Sequence, residues 1–462
     1  MTKREWVAVV GASLALRALV ALVWLGSMPL VHDAASYFEV AASLLTDFPG
    51  RASYYWPPGN AFALAGVFAV TGPSVLAARM LMIALGVGGV VLTSLLARRL
   101  VAVAAAGDCA KDAKLARTEA IAGWIGAIYM PAVLLAGQTY AQHLAAACLL
   151  AFAWFGLRAV DRASLVDASL AGLAFAIGCL TRPSMLSVAP VLLVLWAMRM
   201  RHLKREGAPR SRLVGSAAVF LVVSAAMVLP VQAHNRAAGA GFTISTNNER
   251  NFFLGNNPYT PNYKTSHLGQ RALTELDPET REYLRGFYER PDARDAMQHA
   301  AVDFVVHHPG VTAYRTFNRA TSFWGFDYLG SRIIQDERGW GKKPLLVMLS
   351  FEAGAYVLVM VLALLGIFAL RTEADARART WLIALALAYE LPYVLAFSGG
   401  TYHFPVVGLL VPFAALALAL ARGGGARDLL ARTLRSRGAV GALLAFAAIQ
   451  VEYAYYSLAM SG

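Results

Sequence analysis

The stretch WVAVVGASLALRALVALVWLGSMPLV, residues 6–31, decides the fold. Its only charge is Arg17. A run of about 20 apolar residues is long enough to cross the hydrocarbon core of a bilayer as a helix. The run leads directly into His32-Asp33-Ala34-Ala35-Ser36-Tyr37. A carboxylate at the mouth of a membrane helix costs less than one at mid-depth, yet it still marks a candidate site. Asp33 and Tyr37 are four residues apart, so a helix puts both on one face. Asp is also favoured as a helix N-cap, a structural reading that stands beside the functional one.

Working outward, the same pattern recurs. Of 462 residues, 58% are hydrophobic and 15% charged, and the mean hydropathy is +0.52. That composition excludes a soluble domain of this length and predicts an all-α membrane protein. Eleven spans are expected: 6–31, 76–97, 119–137, 143–160, 165–181, 184–198, 213–233, 344–370, 381–397, 404–421 and 439–459. With a cytoplasmic N-terminus, the inner segments carry 23 Lys and Arg, and the short outer segments only Arg51, Arg79 and Arg182. This asymmetry is the positive-inside pattern. The long outer segment, 234–343, is near neutral, with 14 basic and 12 acidic residues. The net charge of +13 therefore orients the chain and gives no reason to invoke nucleic acid.

The chain divides into an N-terminal membrane module (1–233) with a first outer loop at 32–75, an outer region (234–343), and C-terminal membrane helices (344–462). The apolar stretch 61–71 is too short to cross and is expected to lie at the interface. The outer region opens with turn chemistry at 235–262, followed by helical stretches at 270–290 and 293–322. Cys109, Cys148 and Cys179 suggest neither a disulfide nor a metal site. No HExxH, GxSxG or Walker motif occurs.

Polar and aromatic residues gather at the outer mouths of the spans. Tyr54-Tyr55-Trp56-Pro57-Pro58-Gly59 reads either as a rigid turn able to stack on a ring or as an interfacial aromatic belt. Arg182, between two apolar runs, and Arg79, opening the second span, each read as turn caps or as phosphate ligands. Arg236, then Asn247, Asn248, Arg250, Asn256 and Asn257, supply amide and guanidinium groups of the kind that hold sugar hydroxyls or phosphate. The alternative is a surface loop. Glu390 within the ninth span is a buried acid and hence a functional candidate. Arg17 is expected to snorkel or to be paired.

The order of these features resembles one family. Asp33 follows the first span. The aromatic-Pro-Pro-Gly stretch comes next, then Ala77-Ala78-Arg79 and Thr181-Arg182-Pro183. Asn251-Phe252-Phe253-Leu254-Gly255-Asn256-Asn257-Pro258 follows the seventh span, and His307-His308-Pro309, Arg315 and Phe323-Trp324 complete the series. The pattern, over residues 1–420, resembles the C-type membrane glycosyltransferases. The nearest branches are the dolichyl-phosphate-mannose protein mannosyltransferases and the bacterial aminoarabinose and galacturonic acid transferases of lipid A and lipopolysaccharide core.

The resemblance implies a cell inner-membrane enzyme with its active site facing the periplasm. It would transfer a sugar, with inversion, from a polyprenyl-phosphate donor to an extracytoplasmic lipid, glycan or protein acceptor. Asp33 would activate the acceptor or help hold a divalent metal. Basic outer residues would stabilise the departing phosphate. Two departures matter. Where relatives carry a second acid, this chain reads Gln138-Thr139-Tyr140-Ala141-Gln142-His143, leaving His143 as the substitute metal ligand for Asp33. Where relatives carry an Arg-Tyr-Arg-like motif, it reads Thr401-Tyr402-His403, so phosphate binding falls to Arg182, Arg236, Arg250, Lys264 or His403. A transporter or lipid flippase, and a non-catalytic relative, are the competing expectations.

Overall fold

The computed structural model describes residues 1–101, 109–263, 273–290, 292–369 and 376–460, and every regular element in them is helical. The N-terminal module contains α1 (Lys3–Ala18), α2 (Asp33–Ser43), α3 (Gly59–Thr71), α4 (Val75–Val101), α5 (Cys109–Ile128), α6 (Met130–Leu135), α7 (Gln142–Arg162), α8 (Leu165–Thr181), α9 (Ala189–Arg205) and α10 (Ser211–Ala237). The middle region holds α11 (Asn247–Gly255), α12 (Pro278–Tyr288), α13 (Ala293–His307), α14 (Pro309–Phe323) and α15 (Leu329–Arg338). The chain closes with α16 (Lys342–Ala369), α17 (Ala376–Leu395), α18 (Phe404–Gly424), α19 (Ala426–Leu434) and α20 (Arg437–Met460).

Among the described residues, eight helices are long and apolar enough to cross a membrane: Lys3–Trp24, Val75–Val101, Gln142–Arg162, Pro183–Arg205, Ser211–Ala237, Lys342–Phe368, Gly400–Arg422 and Arg437–Tyr456. The other three expected spans differ for local reasons. The run 119–137 is broken at Tyr129, an extended residue between α5 and α6. Pro131 in the first turn of α6 cannot extend the α5 hydrogen-bond ladder. The 165–181 run forms a helix of 17 residues. Helix α17 carries Arg377, Arg379 and Glu390 within its 20 residues. The first span is shorter than its apolar run, because helix continues only to Trp24 through a π-helical turn.

The short stretch expected at the interface is α3, of 13 residues, packed on α2, α4 and α8. Pro309 divides the expected 293–322 helix into α13 and α14. The core is centred on α18, where 78% of the apolar window is buried, against 17% for α20 at the periphery. Helices α16, α5, α4 and α7 surround α18. At the end of the bundle opposite Asp33, Arg99 and Arg377 both pair with Asp161, at 2.7 and 2.6 Å.

Candidate functional site

The site is built around the chain's exit from the first apolar helix. Residues 25–32 are held in place by two side chains from elsewhere. Arg79, 2% exposed, donates to the carbonyls of Gly26 (2.8 Å), Met28 (2.6 Å) and Gly137 (2.9 Å). Gln138 donates to Pro29 O (3.0 Å) and accepts from Val31 N–H (3.2 Å). His32 then caps α2 with φ of +50°, a backbone state non-glycine residues seldom adopt. Such strain persists only where surrounding contacts hold it. Asp33 is therefore the first residue of α2 and not its N-cap. Its carboxylate receives no hydrogen bond among the described residues. Burial raises its pKa, while Arg182 and His32 pull it back.

Helix α2 is fixed to its neighbours by a short relay. Thr139 Oγ1 donates to Ala34 O (2.7 Å), and Asn60 Nδ2 donates to Thr139 O (2.8 Å). Asn60 belongs to α3, whose first residue, Gly59, lies against Leu180 and Thr181; a Cβ there would stand 2.7 Å from backbone atoms of both. The Trp56-Pro57-Pro58-Gly59 turn is thereby seated on the end of α8. Arg182 follows at that end, in extended conformation as a residue before proline prefers. Its guanidinium lies over the Tyr402 ring, 5.6 Å from the centroid. No hydrogen bond among the described residues uses its donors.

Asp33, Tyr37, Tyr55, Trp56, Arg182, Asn247, Asn248 and Arg250 line one cavity of about 460 Å³. The structure thus brings together eight of the residues singled out from sequence. Two segments far apart in sequence form its far wall. Tyr54 N–H donates to Asn235 Oδ1 (2.9 Å), and Thr246 N–H donates to Tyr54 O (3.0 Å), joining the first loop to the segment that opens α11. Arg250 donates to Tyr55 Oη (2.5 Å) and lies over the Tyr288 ring. Buried Ser245 Oγ and Asn247 Oδ1 face this space without a hydrogen-bond partner. Unpaired buried polar atoms are costly, so they mark where a polar ligand would be taken. Tyr37, its pKa pushed up to about 12 by burial, remains a proton donor across the neutral range.

A second cavity, of about 290 Å³, shares Asp33, Arg182 and Tyr402 with the first. Its other polar groups include Tyr140, Gln142, Asp327 and Arg332. Gln142 Oε1 is buried there without a partner. Asp327 Oδ1 accepts from Leu329 N–H and Thr401 Oγ1, each at 3.0 Å, and burial raises its pKa.

Other expected ligands are placed elsewhere. Arg79 lines neither cavity, and its hydrogen-bonded donors are committed to backbone carbonyls. Asn256 donates to Phe252 O and Leu395 O, and Asn257 to Phe253 O, so both serve as scaffold for α11. Arg236 is exposed and lines neither cavity. His403 is fully buried, bonded to Phe323 O (2.7 Å) and stacked on Tyr356. It lines neither Asp33 cavity. Lys264 lies outside the described residues.

His143 bonds to Ala132 O (3.0 Å) and lines a different, smaller cavity with Arg17, so it does not join Asp33 as a metal ligand pair. Arg17 does not snorkel. It is 1% exposed and donates to Ser13 Oγ (2.7 Å) and the carbonyls of Ala127 (2.9 Å) and Gly126 (3.0 Å). Glu390 is buried within α17 and lines neither Asp33 cavity.

Sequence reasoning missed Tyr393, Ser245 and Tyr402 in the first cavity, and Asp327 and Arg332 in the second. Asp327 follows α14, a 15-residue helix that is not an apolar span, so it lacks the signal that found Asp33. The Thr401-Tyr402-His403 turn was recognised, but Tyr402 is the residue that faces the site. Comparison of the chain with protein-family models and with curated proteins finds no match.

Proposed function

We propose that this chain is an integral membrane glycosyltransferase of eleven spans with its N-terminus in the cytoplasm. Its site would face the periplasm of a bacterial inner membrane and transfer a sugar from a polyprenyl-phosphate donor. One observation carries the reading: an unbonded carboxylate, Asp33, and a guanidinium with unused donors, Arg182, border the same two cavities. Transfer with inversion needs two substrates to meet at one carbon, a base on the acceptor side and positive charge on the leaving-group side.

Charge assigns the substrates. The first cavity has Arg182 and Arg250 against Asp33, a net positive balance that suits a lipid phosphate. The second has Arg182 and Arg332 against Asp33 and Asp327, a balance that suits a neutral hydroxyl or amine acceptor. In the reaction the acceptor oxygen or nitrogen forms a bond to the anomeric carbon as its proton passes to Asp33. The carbon–oxygen bond to phosphate breaks, and the phosphate keeps the electron pair beside Arg182 and Arg250. Ser245, Asn247 and Asn248 hold the sugar hydroxyls, and Trp56 and Tyr55 offer ring faces.

The test is Asp33→Asn, reconstituted in membranes and assayed for transfer from a polyprenyl-phosphate sugar. Loss of turnover with donor binding retained supports the reading. Full turnover removes Asp33 as the base and the reading with it.

A further inference from the structure

The smaller cavity that holds Arg17 and His143 is left unused by the transferase reading. It measures about 70 Å³ and lies between α1, α4, α5, α7 and α18. None of its lining residues borders either Asp33 cavity. Gly86, in its wall, is the twelfth of the 27 residues of α4 and so stands near the middle of that helix. The wall is apolar apart from Arg17, Thr93, Tyr129 and His143, and no acid lines it.

Two buried nitrogens are open there. Arg17 spends its terminal nitrogens on Ser13 Oγ and on the carbonyls of Gly126 and Ala127, in the last turn of α5. Its charge thus rests against the negative end of that helix. Its Nε–H keeps no partner. His143 Nε2 lies 3.0 Å from Ala132 O. A carbonyl only accepts, so Nε2 carries a proton. A second positive charge beside Arg17, inside a membrane-long helix bundle, would be costly. The ring is therefore neutral, and Nδ1 presents a lone pair, buried and without a partner. Arg17 and His143 both flank Gly86, where a Cβ would stand 2.7 Å from Arg17 Nε and 3.5 Å from His143 Cδ2. The bare glycine keeps the space beside them open. Tyr129 lines the same cavity, and its hydroxyl is also buried without a partner.

One donor and one acceptor select the guest. An anion would meet the Nδ1 lone pair, and a cation would meet the guanidinium. A hydroxyl suits both, because it accepts from Arg17 Nε–H and donates to His143 Nδ1. We propose that this cavity is an intramembrane site for a neutral hydroxyl, carried by water or by a short alcohol dissolved in the bilayer. At about 10–15 Å³ per water, the space holds a few waters or one short alcohol. Leu85 and Gly89 on α4, and Ala146 and Ala147 on α7, are half-buried, so the cavity is reached between two membrane-long helices. The bound hydroxyl ties α1 to α7.

The experiment uses the full chain in lipid nanodiscs, with isotope-labelled histidine nitrogens read by solid-state NMR. The His143 signals are assigned by their loss in His143→Gln. The expected ring carries one proton, on Nε2. Its Nδ1 signal is displaced from that of an unbonded ring nitrogen and correlates with an exchangeable proton. Carbon-labelled propanol separates the two sources: magnetisation transfer from its carbon to Nδ1 identifies an alcohol, and an exchangeable proton that persists without such transfer identifies water. Gly86→Ala should abolish the correlation, because its methyl takes the space beside Arg17 Nε. Gly88→Ala, whose Cβ would meet nothing within 4 Å, should keep it. If Gly86→Ala does not insert, the spectrum of the unmodified protein decides alone. An Nδ1 signal at the unbonded position would overturn the proposal. A doubly protonated ring that responds to added chloride would overturn it too, because the guest would then be an anion.

Discussion

Arg79 and Arg182 look alike in sequence and behave differently in space. Both stand at the ends of apolar helices, and both suit phosphate. Arg79 is buried and spends its donors on three carbonyls, two of them in the chain just before Asp33. Arg182 follows a helix stopped by proline, rests over Tyr402, and keeps its donors unused beside two cavities. The lesson is that an arginine's role follows from what has already taken its hydrogen bonds. A clamp has a full set of partners before any ligand arrives, and a binding group does not.

Mutations can break this contrast. The largest loss should come from Asp33→Asn, which removes the proton acceptor and should lower turnover by about 10²–10⁴-fold. Arg182→Ala should follow, at about 10²–10³-fold in turnover, the usual cost of one charge-stabilising donor. Arg79→Ala should act through structure. It abandons three buried carbonyls at about 1–3 kcal/mol each, and a thermal melt in detergent should show the loss. Arg182→Ala should leave the melt nearly unchanged. If the two variants exchange these signatures, the contrast fails.

The pH profile sharpens it. Burial raises the Asp33 pKa and Arg182 opposes that rise. The base must be deprotonated to work, so turnover should fall as pH drops through a value above the ordinary carboxylate range. Arg182→Gln should move that limb to still higher pH, and Arg79→Gln should not move it. The smallest effect belongs to exposed Arg236, where substitution by Ala should change stability by less than about 0.5 kcal/mol and leave transfer intact.

Much of the fold was legible because membrane helices write their length into composition. Eight spans needed only apolar run length. The break at Tyr129 was hidden, because Pro131 interrupts hydrogen bonding without interrupting hydrophobicity. Half of the site was legible for a related reason: a charge or amide cluster at the mouth of an apolar helix stands out. Asp33, Arg182 and the Asn247–Arg250 segment were found that way. The roles of Asn256, Asn257 and His403 were not, because they depend on partners such as Leu395 O and Phe323 O, brought close only by packing. Asp327 escaped because its proximity to Asp33 spans nearly three hundred residues of chain.

The most direct measurement is a structure of the protein in nanodiscs with a polyprenyl-phosphate sugar bound. The account predicts the phosphate within hydrogen-bond distance of Arg182 and Arg250, with the anomeric carbon turned toward the Asp33 carboxylate. Phosphate density at Arg79, or a sugar held where Asp33 cannot reach the opposite face of that carbon, would contradict it.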